Sequence, residues 1–338
     1  MRAVQVTAPG KLELIEREPP VPAEGEALVE VLYAGVCGSD AHAYNGTQPF
    51  VVYPLVLGHE LAVRVVEAPS DSVLKPGDLC AVEPLLGCGQ CYPCSQGRYN
   101  CCARLQVIGV HTDGGWTETI SHPAHLIHPA PEGLSPEAIA LCEPLTVACH
   151  GLARGEFRPE DTVLVQGCGP IGLLAIQAAK HEGATVIASE GILARRELSL
   201  KLGADLALDP SDTDFDEKLL QVAPGGPTLV IEAAGTDGSI QTAIRVVSAA
   251  GRIVFIGLNP GSVEFHMKSI IGKELDLRGS RNSCNAFPRA LELLRAGAID
   301  TKAMITGRYP LEQAVQALQA LIQRPEQVIK NLLTVTAI

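Results

Sequence analysis

From about residue 145 the chain alternates short apolar runs with helical patterns, and this alternation limits the fold more than any other feature. Val163–Val165 reads as a strand and Ile171–Lys180 as a helix. Thr185–Ala188 is a strand and Ala194–Leu202 a helix. Leu229–Ile231, a helix over Ser239–Val247 and a strand over Ile253–Ile256 continue the series. Strands that alternate with helices predict a parallel, doubly wound sheet. At the first strand-to-helix turn stands GCGPIG, in which Gly167, Gly169 and Gly172 form G-x-G-x-x-G. The motif is informative because it follows an apolar strand and opens a helix. The first glycine permits the tight turn, the second lets a pyrophosphate approach the backbone, and the third lets helix and strand pack closely. Gly167, Gly169, Pro170, Ile171 and Gly172 are therefore expected at a dinucleotide, with the helix N-terminus facing its phosphates. Glu190 ends the next strand, where an acidic residue binds the ribose hydroxyls. A carboxylate there repels a 2′-phosphate, which favours NAD over NADP. Arg195 and Arg196 follow within one helical turn and pull the other way, and Arg195 is placed with the cofactor contacts.

The first part of the chain has a different texture. Ala27–Leu32, Leu61–Val66 and Leu79–Val82 are short apolar runs separated by turns such as PGD at 76–78, which predicts a compact, mostly β domain with long loops. One of those loops, GCGQCYPCSQGRYNCC, carries Cys88, Cys91, Cys94 and Cys102 as C-x2-C-x2-C-x7-C. Four thiolates at this spacing can surround one Zn²⁺ with no open position, which makes a structural site. The chain begins MRAVQV with no secretory signal, so a reducing, cytoplasmic setting is expected and zinc is preferred to disulfides. Cys101 is left out of the set. Cys80, Cys142, Cys149 and Cys168 read as small buried hydrophobes.

Composition excludes several classes. With 46% hydrophobic and 19% charged residues, the chain can build real cores. The net charge of −12 argues against nucleic acid or an anionic membrane as partner. The longest apolar stretch, around Ile171–Ala179, is too short to span a bilayer.

A second group of metal-binding residue types lies outside the cysteine loop. AGVCGSDAHAY holds Cys37, Ser39, Asp40 and His42. LVLGHE holds His59 and Glu60, and ALCEPLTVACHG holds Glu143. A catalytic zinc needs three protein ligands and an exchangeable position. Taken singly, Cys37 reads as a buried thiol and Glu143 as a helix N-terminal charge.

Taken together, CGSDAH (37–42), GHE (58–60), the four-cysteine lobe, GCGPIG (167–172) and Glu190 resemble the zinc-dependent medium-chain alcohol dehydrogenase superfamily over essentially the whole length. The likeness is strongest to its polyol and sugar-acid branch, which includes sorbitol, threonine and L-galactonate-type dehydrogenases. Glu143 in CEPL stands where ethanol-type relatives carry cysteine. CNAFP (284–288) resembles a sorbitol dehydrogenase segment, and GTQPFVVYPLVLGHE, HTDGG and GKEL resemble the L-galactonate type.

The resemblance implies an α/β protein with a GroES-like β-rich catalytic domain, residues 1–146 and 280–338, and a Rossmann NAD-binding domain, 147–279. Catalysis would lie in the cleft between them. It implies two Zn²⁺ per chain and NAD. Cys37 and His59 would hold the catalytic zinc with either Glu60 or Glu143 as third ligand, and Asp40 would orient a ligand. Ser39 and His42 would pass the hydroxyl proton to solvent, with His42 titrating near neutrality. Tyr44, Phe50, Tyr53 and Trp116 fall in loops near these motifs and either line the substrate cleft or pack in the core, and the position of Trp116 resembles that of a substrate-facing aromatic in sorbitol dehydrogenase. Asn282 and Asn285 offer hydrogen bonds to substrate hydroxyls, and Arg281 offers a fork for a carboxylate. Lys330 receives no role. A hydride transfer from a secondary alcohol of a sugar acid or polyol to NAD is the activity implied. The competing readings are an NAD-binding sensor on the same scaffold and a dehydrogenase specific for threonine or a polyol phosphate. A homodimer or homotetramer is expected.

Overall fold

A computed structural model describes residues 1–336. The chain divides into two compact units. The first comprises Met1–Glu143, Phe287–Gly297 and the segment from Thr301 onward. The second comprises Pro144–Ala286 and Ala298–Asp300. The sequence expectation drew these limits at 146/147 and 279/280. Residues 144–146, 280–286 and 298–300 group with the second unit.

The first unit is built mostly on antiparallel strands; the first half of Glu26–Val36 alternates between buried and half-buried side chains, while Leu61–Glu67, Leu79–Val82 and Lys330–Thr334 are buried over consecutive residues. Glu26–Val36 is the longest strand. It pairs with Leu61–Glu67 on one side and with Lys330–Thr334 on the other, while Thr119–Pro123 pairs with its first half. Leu79–Val82 and Ile127–Pro129 extend the sheet beyond Leu61–Glu67. Ile305–Pro310 closes the other end, pairing parallel to Lys330–Thr334. A smaller sheet joins Lys11–Glu16, Arg2–Ala8 and Leu55–Val56. The apolar faces meet in one core that includes Val4, Val29, Val31, Leu57, Leu61, Val63 and Trp116, and Leu311 and Leu318 of the C-terminal segment also join it. The expected loop signals hold: Gly77 of PGD adopts φ +94°, a conformation glycine reaches without strain.

The second unit holds a six-stranded sheet, parallel throughout. Counted along the chain, its strands are Thr162–Gln166, Thr185–Ser189, Leu206–Leu208, Leu229–Glu232, Arg252–Phe255 and Asp276–Gly279. They lie in the spatial order third, second, first, fourth, fifth, sixth. This order reverses at the first strand, and ligands bind at such switch points beyond the carboxyl ends. The central strands are buried on both faces, so they read as continuous Val/Ile/Leu runs. Helices Pro170–His181, Leu193–Lys201, Phe215–Val222, Asp237–Val246 and Met267–Lys273 connect them. Sequence reading had placed neither Leu206–Leu208 nor Asp276–Gly279. The third strand has only three residues, and the sixth, DLRG, is an exposed edge that lacks an apolar pattern.

No helix among the described residues is long and apolar enough to cross a membrane.

Candidate active site

Two neighbouring strands of the first unit assemble a cluster of metal-binding donors. Glu26–Val36 runs directly into Cys37, which is the N-cap of helix Gly38–Tyr44. The Cys37 amide donates to Asp40 Oδ2 at 2.8 Å, so the carboxylate is fixed at the start of that helix. His59 and Glu60 precede the adjacent strand Leu61–Glu67, held by a hydrogen bond from Gly35 N–H to the Glu60 carbonyl at 2.7 Å. Gly35 is required here, because an added Cβ would lie 2.0 Å from Glu60 Oε2. Cys37, His59 and Glu60 thereby bring one donor atom each within 4.8 Å of one another.

The cluster gathers buried ionisable groups that shift one another. Asp40, His59 and Glu60 are buried. Burial pushes the Asp40 carboxyl up to about 6, against the pull of His59 and the Cys37 amide. Burial also pushes Glu143 up to about 7, with the Glu60 charge adding to the effect and His59 opposing it. Burial disfavours the charged form of His59, but the sulfur of Cys37 and the carboxylates of Asp40 and Glu143 outweigh it and raise its pKa. His59 Nδ1 lies 3.8 Å from Asp40 Oδ1, and neither atom has a hydrogen-bond partner. A thiol, an imidazole and a carboxylate together fit Zn²⁺. Asp40 at Nδ1 leaves Nε2 of His59 for the metal, an orientation such carboxylates commonly impose.

Lys330 completes the cluster, and sequence reasoning missed it. Its Nζ donates to both oxygens of Glu60, at 2.6 and 2.7 Å, and to the Val36 carbonyl at 3.3 Å. Burial opposes the ammonium, yet the Glu60 carboxylate and the Cys37 sulfur raise its pKa. The available signal was a single lysine inside the apolar run VIKNLLTV. Glu60 is therefore already paired on both oxygens. Glu143 sits in the first turn of helix Cys142–Arg154 and interacts with His59, Glu60 and Lys330 through its charge.

The four sulfurs of Cys88, Cys91, Cys94 and Cys102 converge within 4.8 Å of one another. Cys91 Sγ is 3.5 Å from Cys94 Sγ and 3.8 Å from Cys102 Sγ. Backbone amides point at the sulfurs: Cys88 N–H reaches Cys102 Sγ at 3.2 Å and Arg104 N–H at 3.3 Å. The Gln90 amide, first among several donors, draws the Cys88 thiol down to about 5. Amides favour the thiolate at Cys88 and Cys91, burial pushes Cys94 up to about 12, and the four converging sulfurs fit a closed zinc site. The lobe has its own small core of Leu85, Leu105 and Val107. It is tied to the sheet through Glu83, whose carboxylate accepts from Tyr99 Oη and from His128 Nε2 at 3.0 Å.

In the second unit the glycine turn has the form the motif implies. Gly167 adopts φ +86°. Gly172 packs so closely that an added Cβ would stand 1.9 Å from the Gly167 carbonyl oxygen. Gly169 caps helix Pro170–His181 and has open space where a Cβ would be, with Pro170 and Ile171 in the first turn. Glu190 reaches back to this turn. One oxygen accepts from Cys168 N–H at 2.7 Å and the other from Ile192 N–H at 2.8 Å. Arg196 donates to the Glu190 carbonyl at 2.6 Å and pairs with Asp209 at 3.0 Å. Arg195 lies half-buried in the first turn of helix Leu193–Lys201.

The remaining expected residues are distributed unevenly. Ser39 Oγ is buried and has no hydrogen-bond partner. His42 is exposed, and its Nδ1 lies 2.9 Å from Thr47 Oγ1. Tyr44 is half-buried against the core, Tyr53 donates to the Ala43 carbonyl at 2.6 Å, and Phe50 stacks on His111. Trp116 is 0% exposed, belongs to the first unit's core and packs where a side chain on Gly58 would otherwise be, and its Nε1 has no hydrogen-bond partner among the described residues. Arg281 and Asn282 lie in the loop after strand Asp276–Gly279 of the second unit. Asn282 and Asn285 adopt φ of 47° and 53°, which asparagine tolerates better than most residues.

Comparison with known proteins follows both units. Residues 23–132 match the alcohol dehydrogenase GroES-like domain, and residues 170–296 match the zinc-binding dehydrogenase family. The chain is 38% identical to L-galactonate-5-dehydrogenase of Escherichia coli K12, covering 96% of each. Among solved structures, an alcohol dehydrogenase of Escherichia coli CFT073 complexed with NADH is 35% identical, with 99% of both chains covered and a TM-score of 0.93. A zinc-binding dehydrogenase of Sinorhizobium meliloti 1021 bound to NADP is 34% identical over 99% of both, with a TM-score of 0.92.

Proposed function

The chain belongs to the zinc-type alcohol dehydrogenases, and from that premise we propose that it oxidises a secondary alcohol of a sugar acid or polyol with NAD as acceptor. Zinc and a nicotinamide dinucleotide are its cofactors. The observation that carries the proposal is the convergence of half-buried Cys37 with buried His59 and Glu60. When bound, zinc polarises the alcohol oxygen as a Lewis acid and the nicotinamide accepts the hydride.

The chain's own residues supply the rest. Cys37 and His59 hold the catalytic metal, and Asp40 orients the His59 ring. The third ligand is Glu60 or Glu143. Glu60 converges with Cys37 and His59 and keeps a lone pair on each oxygen beside its bonds to Lys330, while Glu143 lies within charge range of His59, so both carboxylates stay available. Cys88, Cys91, Cys94 and Cys102 hold the second, structural zinc. The hydroxyl proton leaves by way of Ser39 Oγ, whose buried atom has no other partner, toward exposed His42. Thr47 engages Nδ1 of His42, which leaves Nε2 for exchange with solvent.

Glu190 decides the cofactor. Its oxygens are fixed by two backbone amides, and each keeps lone pairs for a ribose hydroxyl. Arg196 is held by Asp209 and by carbonyls rather than offered to a 2′-phosphate. NAD is therefore preferred.

A sugar acid is favoured over a neutral polyol by the likeness to L-galactonate-5-dehydrogenase, and Arg281 is the proposed carboxylate contact. The test is the Arg281→Ala variant, assayed on a sugar acid and on the matching polyol. KM should rise far more for the acid, and equal effects on both would remove Arg281 from the site.

Assembly with a second copy is part of the same reading. Asp276–Gly279 is an exposed edge strand, and Ile271 beside it is 72% exposed and Leu258 95%. Exposed edges with apolar neighbours invite pairing.

A further inference from the structure

Glu232 ends the fourth strand of the second unit's sheet, and the dinucleotide reading above gives it no part. It is 0% exposed. Its Oε1 accepts three hydrogen bonds, from Ala234 N–H at 2.9 Å, Gly235 N–H at 2.8 Å and the Ser239 hydroxyl at 2.8 Å. Its carbonyl accepts two more, from Ile256 N–H at 2.8 Å and Gly257 N–H at 3.0 Å. One residue thus gathers the turn 233–236, the start of helix Asp237–Val246 and the end of the fifth strand. A buried carboxylate is costly unless its bonds recover the lost hydration; Oε1 is bonded three times over while Oε2 has no partner among the described residues, so the carboxylate's hold on the loop runs through Oε1.

That loop lies against the glycine turn. An added Cβ on Gly167 would stand 2.9 Å from Ala234 N and 3.0 Å from its Cα, so the two backbones touch. Ala233 N–H donates to the Gln166 carbonyl at 2.9 Å, immediately before Gly167. On the other side, an added Cβ on Gly257 would lie 2.3 Å from Gly235 N. Ala234 itself is exposed, so its place is set by its backbone bonds rather than by burial of its side chain.

We propose that Glu232 is a positioning residue for the dinucleotide: it holds Ala234 and Gly235 against Gly167 and so sets the shape of the turn that receives the pyrophosphate. The inference rests on the reading of Gly167, Gly169 and Gly172 as the phosphate site.

The test compares the full-length wild type with Glu232→Ala, Glu232→Gln and Ser239→Ala. NADH binding is followed by fluorescence, and ADP and adenosine are used as competitors. Glu232→Ala leaves two loop amides without their charged acceptor and should weaken NADH at least about tenfold. Its effect should fall on ADP and spare adenosine, because only ADP carries the pyrophosphate. Glu232→Gln keeps an oxygen where Oε1 lies and should restore NADH binding to within about threefold of wild type. A wild type that binds no NADH would overturn the dinucleotide reading itself. A wild type that binds NADH beside a Glu232→Ala that binds it equally well would overturn only the role of Glu232. Equal weakening of ADP and adenosine would also overturn it, by showing a general loss of structure. If Glu232→Ala is not recovered folded, Ser239→Ala decides: loss confined to NADH and ADP supports the role, and unchanged binding overturns it.

Discussion

Replacing Lys330 with methionine removes a charge while keeping most of the side-chain volume. Lys330 is 3% exposed and Glu60 1%. The two are joined by bonds of 2.6 and 2.7 Å. Deleting one partner of a buried pair costs about 3–5 kcal/mol, because the other charge stays buried. For a unit of this size that is a fall of roughly 10 °C in melting temperature. The raised pKa of Lys330 fixes the pH range. The ammonium's contribution is fully present below the ordinary lysine value of 10.5 and is lost only as pH rises beyond it. Adding Glu60→Gln to the variant should recover much of the loss, because the stranded charge is then gone. Thermal unfolding of the wild type, Lys330→Met and the double variant measures all three. A Lys330→Met protein that melts within about 2 °C of wild type would refute the reasoning, since the pair would then contribute less than 1 kcal/mol.

Two further outcomes follow from the sites described. Cys102→Ser removes one sulfur of the closed lobe, and elemental analysis should show one zinc per chain fewer than wild type, together with loss of protection in the lobe by hydrogen exchange. Burial lowers the His122 pKa from 6.5 to about 4. The folded state therefore holds the neutral ring while the unfolded chain takes up a proton. Stability from this residue is complete above about pH 6.5 and is lost as pH falls toward 4, by at most about 3 kcal/mol. His122→Gln should flatten the wild-type slope in that window, as read by urea midpoints across pH, and a parallel pair of curves would count against it.

The parts of this protein that could be read from its sequence are those whose physics is local. Cys88, Cys91, Cys94 and Cys102 lie within one loop, and the strand, glycine turn and helix around Gly167 are contiguous, so spacing alone announces them. The central strands of the second unit are buried on both faces and stand out as apolar runs. The exposed edge strand Asp276–Gly279 has no such run and passed unread. Lys330 escaped for a different reason. Its partner Glu60 is 270 positions away, and only the insertion of Lys330–Thr334 beside Glu26–Val36 brings the two together. For Trp116 the sequence left a substrate wall and core packing both open, and Gly58, at φ +99°, leaves room for the ring inside the core. Glu232 reads in sequence as the polar end of an apolar strand. Its hold on two loops depends on how the turns after the fourth and fifth strands meet.

The most direct test of the central claim is the formation of NADH at 340 nm by wild type and Cys37→Ser, each offered L-galactonate, other sugar acids and polyols, with NAD or NADP. The account predicts turnover by wild type on one of these classes, preference for NAD, and no turnover by Cys37→Ser although it still binds NADH and retains the zinc of its four-cysteine lobe. Equal turnover by Cys37→Ser would contradict the account, because the alcohol would then be oxidised without the site that Cys37, His59 and a glutamate form.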